Sequence, residues 1–434
     1  MTVWSNWAGM ESATPGRVLE PSDTEAVVAA VQQARAEGQT VKMIGSGHSF
    51  TSISAPEHTM LRPGQMKGIV AVDREALTVT ARAGTQLKVL NAEAERLGLS
   101  LHNMGDIAEQ TLAGATSTGT HGSGGVAAGL AAQLAGLELV TGTGEVLRAD
   151  AEQHPDVFEM ARVGLGALGV LTELTFRVEP LFLLQAEERP MSWTELVSCH
   201  DDLAREHHHT DVLWFPHTDR ALFKGNTRLA DPVTEREPLP RWRGWLDDEF
   251  LANTVFGAMV AAGNRVPAAV PKISSVAART LSARHYSDVA HRVFISTRTV
   301  VFKEMEYAVP REAGLAALAE VRRVIDASDW RISFPIEVRT APADDIPLST
   351  AYDRDSMYLA FHVPKAVDHT EYFDAMEDVM RAHDGRPHWG KLHSLGAGEL
   401  AELYPRFGDF LAMRDRLDPD RVFANDYLRR VLGD

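Results

Sequence analysis

The sequence predicts an α+β protein built as two domains, and three observations carry that expectation. The chain has 434 residues, more than a single small core organises, so two domains are the natural starting point. Its first part holds two loops rich in Gly, Ser and Thr, each with a histidine, set among short strands and helices. Beyond about residue 180 the texture changes to long helical patterns alternating with strands.

Composition narrows the class. Hydrophobic residues make up 44% and charged residues 24%, as in an ordinary soluble globular chain. The net charge of −17 argues against nucleic acid or an anionic membrane as the main partner, because both need a basic face. One cysteine, Cys199, excludes an intramolecular disulfide and a cysteine-based zinc or iron–sulfur site within one chain. No metal centre is expected. The opening MTVWSNWAGMES has neither a basic n-region nor an apolar h-region. No apolar run is long enough to span a bilayer, so a cytoplasmic location is expected.

Taken in order, Ser22-Asp23-Thr24-Glu25 reads as a capping box, and the helix it starts runs to Gly38, a suitable residue for closing it. A strand at 41–44 leads into Gly45-Ser46-Gly47-His48-Ser49-Phe50. Two glycines let successive N–H groups turn toward one point, a concave array that suits a pyrophosphate. A strand at 76–83 and a helix at 85–97 follow, then a turn-rich segment at 102–106 and the second loop, 114–125, with His121. Residues 137–140 and 145–148 flank Thr-Gly-Thr-Gly and read as a hairpin. A helix at 155–163 and a strand at 170–178 close the first part. Between these two lies Gly164-Leu165-Gly166-Ala167-Leu168-Gly169, a formal match to GxGxxG. The dinucleotide fingerprint needs strand, glycines, helix; here the helix comes first, so the nicotinamide reading is rejected and a tight turn expected.

The second part is expected to carry helices at 192–208, 249–282, 311–327 and 370–383, with strands at 211–215, 298–308, 332–340 and 357–363. Residues 232–240, charged and rich in proline, are expected to form a surface loop. His207-His208-His209 falls at the end of a helical pattern, where consecutive side chains diverge. An exposed, unliganded cluster is expected there. Glu337-Val338-Arg339 lies on a strand, which puts both charges on one face. Alone, that is an ordinary salt bridge. Arg386-Pro387-His388-Trp389-Gly390-Lys391-Leu392-His393 packs an aromatic, imidazoles and a lysine beside Pro and Gly. Alone, that is a well-packed turn.

Together these motifs resemble the vanillyl-alcohol-oxidase, or PCMH-type, FAD proteins, and within them the sugar 1,4-lactone oxidase and alditol oxidase branch. The carriers are 45–50, Ser117-Thr118-Gly119-Thr120-His121-Gly122, Glu337-x-Arg339, His388-Trp389-Gly390-Lys391 and the ending at 417–428, in the expected order along nearly the whole chain. The resemblance implies an FAD-binding domain from 1–180 and 392–434, with an α+β cap at 181–391. It implies FAD held by Gly45, Ser46, Gly47, His48, Ser49, Phe50, Thr111, Gly114, Ser117, Thr118, Gly119, His121 and Val170, with His48 bonded to the flavin 8α carbon. Lys391 and His388 would lie beside the flavin. Arg339 would stabilise a developing alkoxide and Glu337 orient sugar hydroxyls, while Thr111 and His362 would also contact substrate. The substrate implied is a sugar 1,4-lactone, or alternatively a polyol such as xylitol, with oxygen or another acceptor reoxidising the flavin. A flavin-carrying binding protein is the non-catalytic alternative; it would need the loops but not Glu337, Arg339 and Lys391.

Overall fold

The computed structural model describes residues 3–124, 126–230, 236–244, 253–296 and 299–434. The end of the second glycine loop at 125, residues 232–235 of the expected surface loop, 249–252 of the expected helix and 298 of the expected strand lie outside the described residues.

The first part is built on two sheets. Arg17–Leu19, Thr59–Leu61 and Val41–Met43 form a parallel three-stranded sheet in that order. The second sheet has five antiparallel strands, ordered Val146–Asp150, Leu134–Val140, Val170–Arg177, Thr78–Arg82, Ile69–Asp73. The expected hairpin is its first pair, with Val146 opposite Val140. The first helix is Thr24–Ala36, and its cap corrects the expected one. Asp23, not Ser22, accepts the Ala26 N–H, while Ser22 donates its hydroxyl proton to Asp23. A carboxylate satisfies an orphan donor and complements the helix dipole at once, which explains the one-residue shift. The GxGxxG segment lies between the helix Pro155–Ala161 and the strand Val170–Arg177, as its order required. Part of the second glycine loop is not loop at all. Leu112–Ser117 is a short helix capped by Thr111, so Gly114 and Ser117 sit on helical backbone.

An eight-stranded sheet forms the second part. Its order is Arg284–Val289, Leu183–Ser192, Arg220–Arg228, His209–Trp214, Ile336–Ala341, Ser356–Pro364, Phe302–Pro310, Arg386–Pro387. The strands beginning at Leu183, Arg220 and Arg284 were not expected; their polar residues blur the alternation that marks a strand. One face of this sheet is apolar: Val212, Trp214, Phe223, Met305, Tyr307, Ile336, Val338, Leu359 and Phe361 share one buried core with the helices Trp193–Glu206, Arg311–Ala327 and Thr370–Ala382. The opposite face is polar, and its charged side chains become part of a cavity wall. Where one helix was expected at 249–282, Phe256–Arg265 and Val270–Thr280 are separate helices around Pro267, since proline cannot donate to the preceding turn. The His207–His209 expectation is also corrected. The helix ends at Glu206, a strand starts at His209, and His209 is only 3% exposed.

The chain then returns to its beginning. Leu400, Phe410, Tyr427 and Leu428, from the C-terminal helices, share one core with Val79, Leu90, Leu139 and Leu174.

Candidate active site

Two adjoining cavities carry the candidate site. The first is a cleft of about 920 Å³, counting its open mouth, lined by 41–49, Thr111, Ala113, Gly114, Ser117, Thr118, Gly166, Gly169, Val170 and Phe423 among others. The glycines here are steric requirements. A Cβ on Gly45 would sit 2.5 Å from Thr111 Oγ1, and Gly47 has φ +72°. Thr111 Oγ1 is fixed because it accepts the Gly114 N–H at 3.3 Å. Ser46 donates to the carbonyl of Glu109 at 2.5 Å. Ser46 thus ties the first glycine loop to the residues that lead into the second, and both line the cleft with backbone and small side chains.

The second cavity, about 620 Å³, shares His48, Ser49, Gln110 and Thr118 with the first. Its wall adds Trp7, Phe50, Asp106, His121, Phe302, Glu306, Arg339, His388 and Lys391. Sheet register explains this assembly. Asp211 lies opposite Arg339, Arg339 opposite Tyr358, Glu337 opposite Ala360, Ala360 opposite Glu306, and His362 opposite Glu304. Residues opposite one another share a face, so every one of these side chains leaves the sheet on the side away from its apolar core.

The charges on that face pair with one another. Arg339 is bound to Glu337 and lies 3.7 Å from Asp211. These carboxylates hold the guanidinium firmly protonated, although burial opposes it. Burial pushes the Asp211 carboxyl up to about 6, against the pull of Arg339. Lys391 is ion-paired with Glu304, and its ammonium stands 5.1 Å from the centre of the Phe50 ring. Burial raises the Glu304 carboxyl, but Lys391 and His362 together overcome it and hold it down to about 2.

Three imidazoles line the same cavity. His48 stacks on Trp7, with ring centroids 5.8 Å apart. Burial, aided by Lys391, lowers its pKa and keeps the ring neutral. His388 is buried and brought down to about 3. Its Nδ1 accepts the Gly390 N–H at 3.1 Å, so the network places the ring proton on Nε2. His121 Nε2 lies 3.3 Å from Glu306 Oε1. His121, Glu306 and His388 bring their nitrogen and oxygen atoms within 4.8 Å of one another, a grouping with metal-ligand chemistry.

The sequence-predicted residues therefore separate. Gly45, Ser46, Gly47, Gly114, Ser117 and Val170 line the first cavity; His48, Ser49 and Thr118 line both; Phe50, His121, His388, Lys391 and Arg339 line the second. Gly119 lies deeper, on a small inner cavity beside His121 and Tyr358. Thr111 lines the first cavity, not the second, because its hydroxyl is committed to capping the helix. His362 is off the wall as well. It stands 3.5 Å behind Glu304, with Nδ1 on the carbonyl of Pro335. Glu337 reaches the cavity through Arg339. Sequence reasoning missed Glu304, Glu306 and Asp211. Glu304-Met305-Glu306 carries the same i, i+2 signal as Glu337-Val338-Arg339, and Asp211 opens an expected strand.

The cavities fit FAD. An adjoining pair of spaces, one lined by backbone and glycine and the next by fixed charges, matches a ligand with phosphates at one point and a redox ring at another. Comparison with known proteins agrees. Residues 15–150 match the family model for the FAD binding domain, and residues 174–431 match that for D-arabinono-1,4-lactone oxidase. The chain is 37% identical to the L-gulono-1,4-lactone dehydrogenase of Mycobacterium tuberculosis over 99% of both chains. It is 31% identical to the L-gulonolactone oxidase of Scyliorhinus torazame, over 99% of this chain and 98% of that one. Among solved structures, cholesterol oxidase from Brevibacterium sterolicum superimposes with a TM-score of 0.85 at 17% identity, covering 99% of this chain and 96% of that one. That likeness shows the PCMH-type fold. No helix among the described residues is long and apolar enough to cross a membrane.

Proposed function

The chain belongs to the D-arabinono-1,4-lactone oxidase family, and from that premise we propose that this FAD-dependent oxidoreductase oxidises a CH–OH group of a sugar-derived 1,4-lactone. The observation that carries the reading is a single cavity wall bearing Arg339 and Lys391, joined through His48 to the glycine-lined cleft. FAD, when bound, supplies the hydride acceptor. Arg339, held rigid by Glu337 and Asp211, points a fixed cation at the oxygen on which negative charge develops; such preorganised charge acts on the transition state more than on the ground state. Lys391 adds a second positive charge, fixed by Glu304. We assign His48 to the covalent link with the flavin 8α carbon, a role its neutral ring supports. Residues 1–180 and 392–434 would hold the cofactor while 181–391 cover it, a division that the shared core of the first part and the C-terminal helices supports.

The test is an air-free titration of the purified protein with aldonolactones and alditols, followed by flavin absorbance. Lactones bleach the band and alditols leave it. Arg339→Ala slows the bleaching about 100-fold or more, as loss of a preorganised charge does. An unchanged rate in that variant strips Arg339 of its role in charge stabilisation, and bleaching by alditols alone overturns the substrate.

A further inference from the structure

Turning an alcohol into a carbonyl releases a proton as well as a hydride, and neither cation on the wall can take it. Arg339 stays protonated at any working pH, and Lys391 is an ammonium already paired with Glu304. His388 has its Nδ1 lone pair engaged by Gly390. His48 is assigned to the flavin link, and Asp106 accepts the Ser296 hydroxyl at 3.3 Å. The two bases on the wall that face each other are His121 and Glu306.

Their hydrogen bonding fixes where a proton can go. His121 is 6% exposed and Glu306 2%. The ring of His121 lies on Tyr358 with centroids 3.8 Å apart, and its Nδ1 is 2.9 Å from the carbonyl oxygen of Gly122. A carbonyl only accepts, so Nδ1 carries a proton, and in the neutral ring Nε2 is a bare lone pair. That lone pair faces Glu306 Oε1 at 3.3 Å, and Oε1 has no hydrogen bond among the described residues. Two lone pairs confronting each other in a buried site repel, and one proton between them turns the repulsion into a charge-assisted bond.

We propose that His121 and Glu306 are the proton-accepting dyad of the reaction. The inference rests on the reading of the site as one for alcohol oxidation. The substrate O–H bond breaks and its proton comes to rest between His121 Nε2 and Glu306 Oε1. The electrons of that bond form the carbonyl as the carbinol C–H leaves as hydride to the cofactor. Around the dyad stand Lys391 and His388 from the segment after Arg386–Pro387, Arg339 from its strand, Tyr358 beneath the ring, Glu304 two residues along, and Asp106 from the facing loop. Burial raises the Glu306 carboxyl, yet His121, Lys391 and His388 hold it well below the usual carboxylate range. The proton the dyad takes is therefore carried on the His121 Nε2 side, and Glu306 is its anionic partner. The resulting pKa belongs to the dyad as a unit. The pair and His388 also have metal-ligand chemistry, but the committed Nδ1 of His388 favours a proton over a cation.

The test uses the FAD-loaded enzyme and Glu306→Gln, with Glu306→Asp as the conservative control. The amide of the Gln variant donates to Nε2 and fills the position. Lactone-driven reduction is expected to slow about 100-fold or more and to lose its fall at low pH, with lactone Kd and FAD content unchanged; the Asp variant recovers part of the rate. A wild-type rate with the acid limb intact in Glu306→Gln overturns the proposal. A second readout needs no substrate: ¹⁵N NMR of the histidine rings. In the resting wild type at neutral pH, Nδ1 of His121 is protonated and Nε2 is bare, and Glu306→Gln moves the Nε2 resonance. An Nε2 already protonated in the resting enzyme marks a static ion pair and overturns the dyad. An enzyme that shows the bare Nε2 but is reduced by alditols and not lactones refutes the substrate assignment and still supports the dyad.

Discussion

His48 stands where the two cavities meet, and its surroundings fix its chemistry. Stacking on Trp7 holds the ring, and burial beside Lys391 keeps it neutral, which leaves a nitrogen lone pair for bonding to carbon. His48→Ala is therefore expected to release flavin into acid, whereas the wild type retains it in the precipitate; flavin absorbance of the supernatant decides. Lys42 makes a different case. Its ammonium is buried on the floor of the cofactor cleft, donating to the carbonyls of Phe423 at 3.0 Å and Gly166 at 3.2 Å. Burial lowers its pKa from 10.5 to about 7, despite Asp418 and Glu57. Between those two values the unfolded chain holds a proton that the folded chain has lost, so stability rises with pH across that window. The cost of burying the charge is present below about 7 and relieved above it. Lys42→Met should flatten this rise in urea unfolding measured at a series of pH values; an unchanged slope assigns it to other groups.

At the scale of the element, the strand carrying Glu304 and Glu306 shows what was legible in the sequence and what was not. Alternation identified the strands at 211–215, 298–308, 332–340 and 357–363, and their registers then placed Asp211, Arg339, Tyr358, Glu306, Glu304 and His362 on one face. The faces of single strands were readable from period two. Register between strands far apart in the chain was not, because nothing local specifies which residue will stand opposite which. For that reason Glu337 and Arg339 were readable as a pair, while the partners Asp211, Glu304 and Glu306 were not. The same gap hid the neighbour of His362, expected from sequence to contact substrate: the register sets it opposite Glu304, 3.5 Å from that carboxylate. Two variants separate these roles. Glu304→Gln frees the Lys391 ammonium and should slow lactone-driven reduction about tenfold, as small misplacements of a reacting group do, with partial recovery in Glu304→Asp. His362→Ala should act in the same direction while leaving lactone Kd unchanged. A large rise in Kd for His362→Ala would return that residue to the substrate wall.

On the scale of the whole molecule, the first glycine loop depends on the last residues of the chain. Val41 N–H donates to the carbonyl of Val422 at 2.8 Å. Tyr427 reaches the carbonyl of Trp389 at 2.9 Å, inside the segment that presents His388 and Lys391. Asn425 does most. Its Oδ1 caps the final helix by accepting the Leu428 N–H at 2.9 Å. Its amide donates to the carbonyls of Ser52, Ile53 and Ala55 at 3.0 to 3.1 Å, and Ile53 lines the cofactor cleft. One side chain therefore closes a loop of more than 370 residues and fixes the segment that follows His48. Losing an N-cap costs about 1 kcal/mol; the Ser52 carbonyl keeps the Ala55 N–H at 2.9 Å, while a buried carbonyl left with no donor costs about 1–3 kcal/mol more. Asn425→Ala should lower Tm by several degrees and also weaken FAD retention, because residues 52–55 lose their anchor. Asn425→Asp is the sharper probe. It keeps the cap but turns a carboxylate toward three carbonyls, so it should harm FAD retention at least as much as alanine while sparing the final helix. If both variants lose Tm yet hold FAD as tightly as the wild type, then the C-terminal segment stabilises the fold without shaping the cleft.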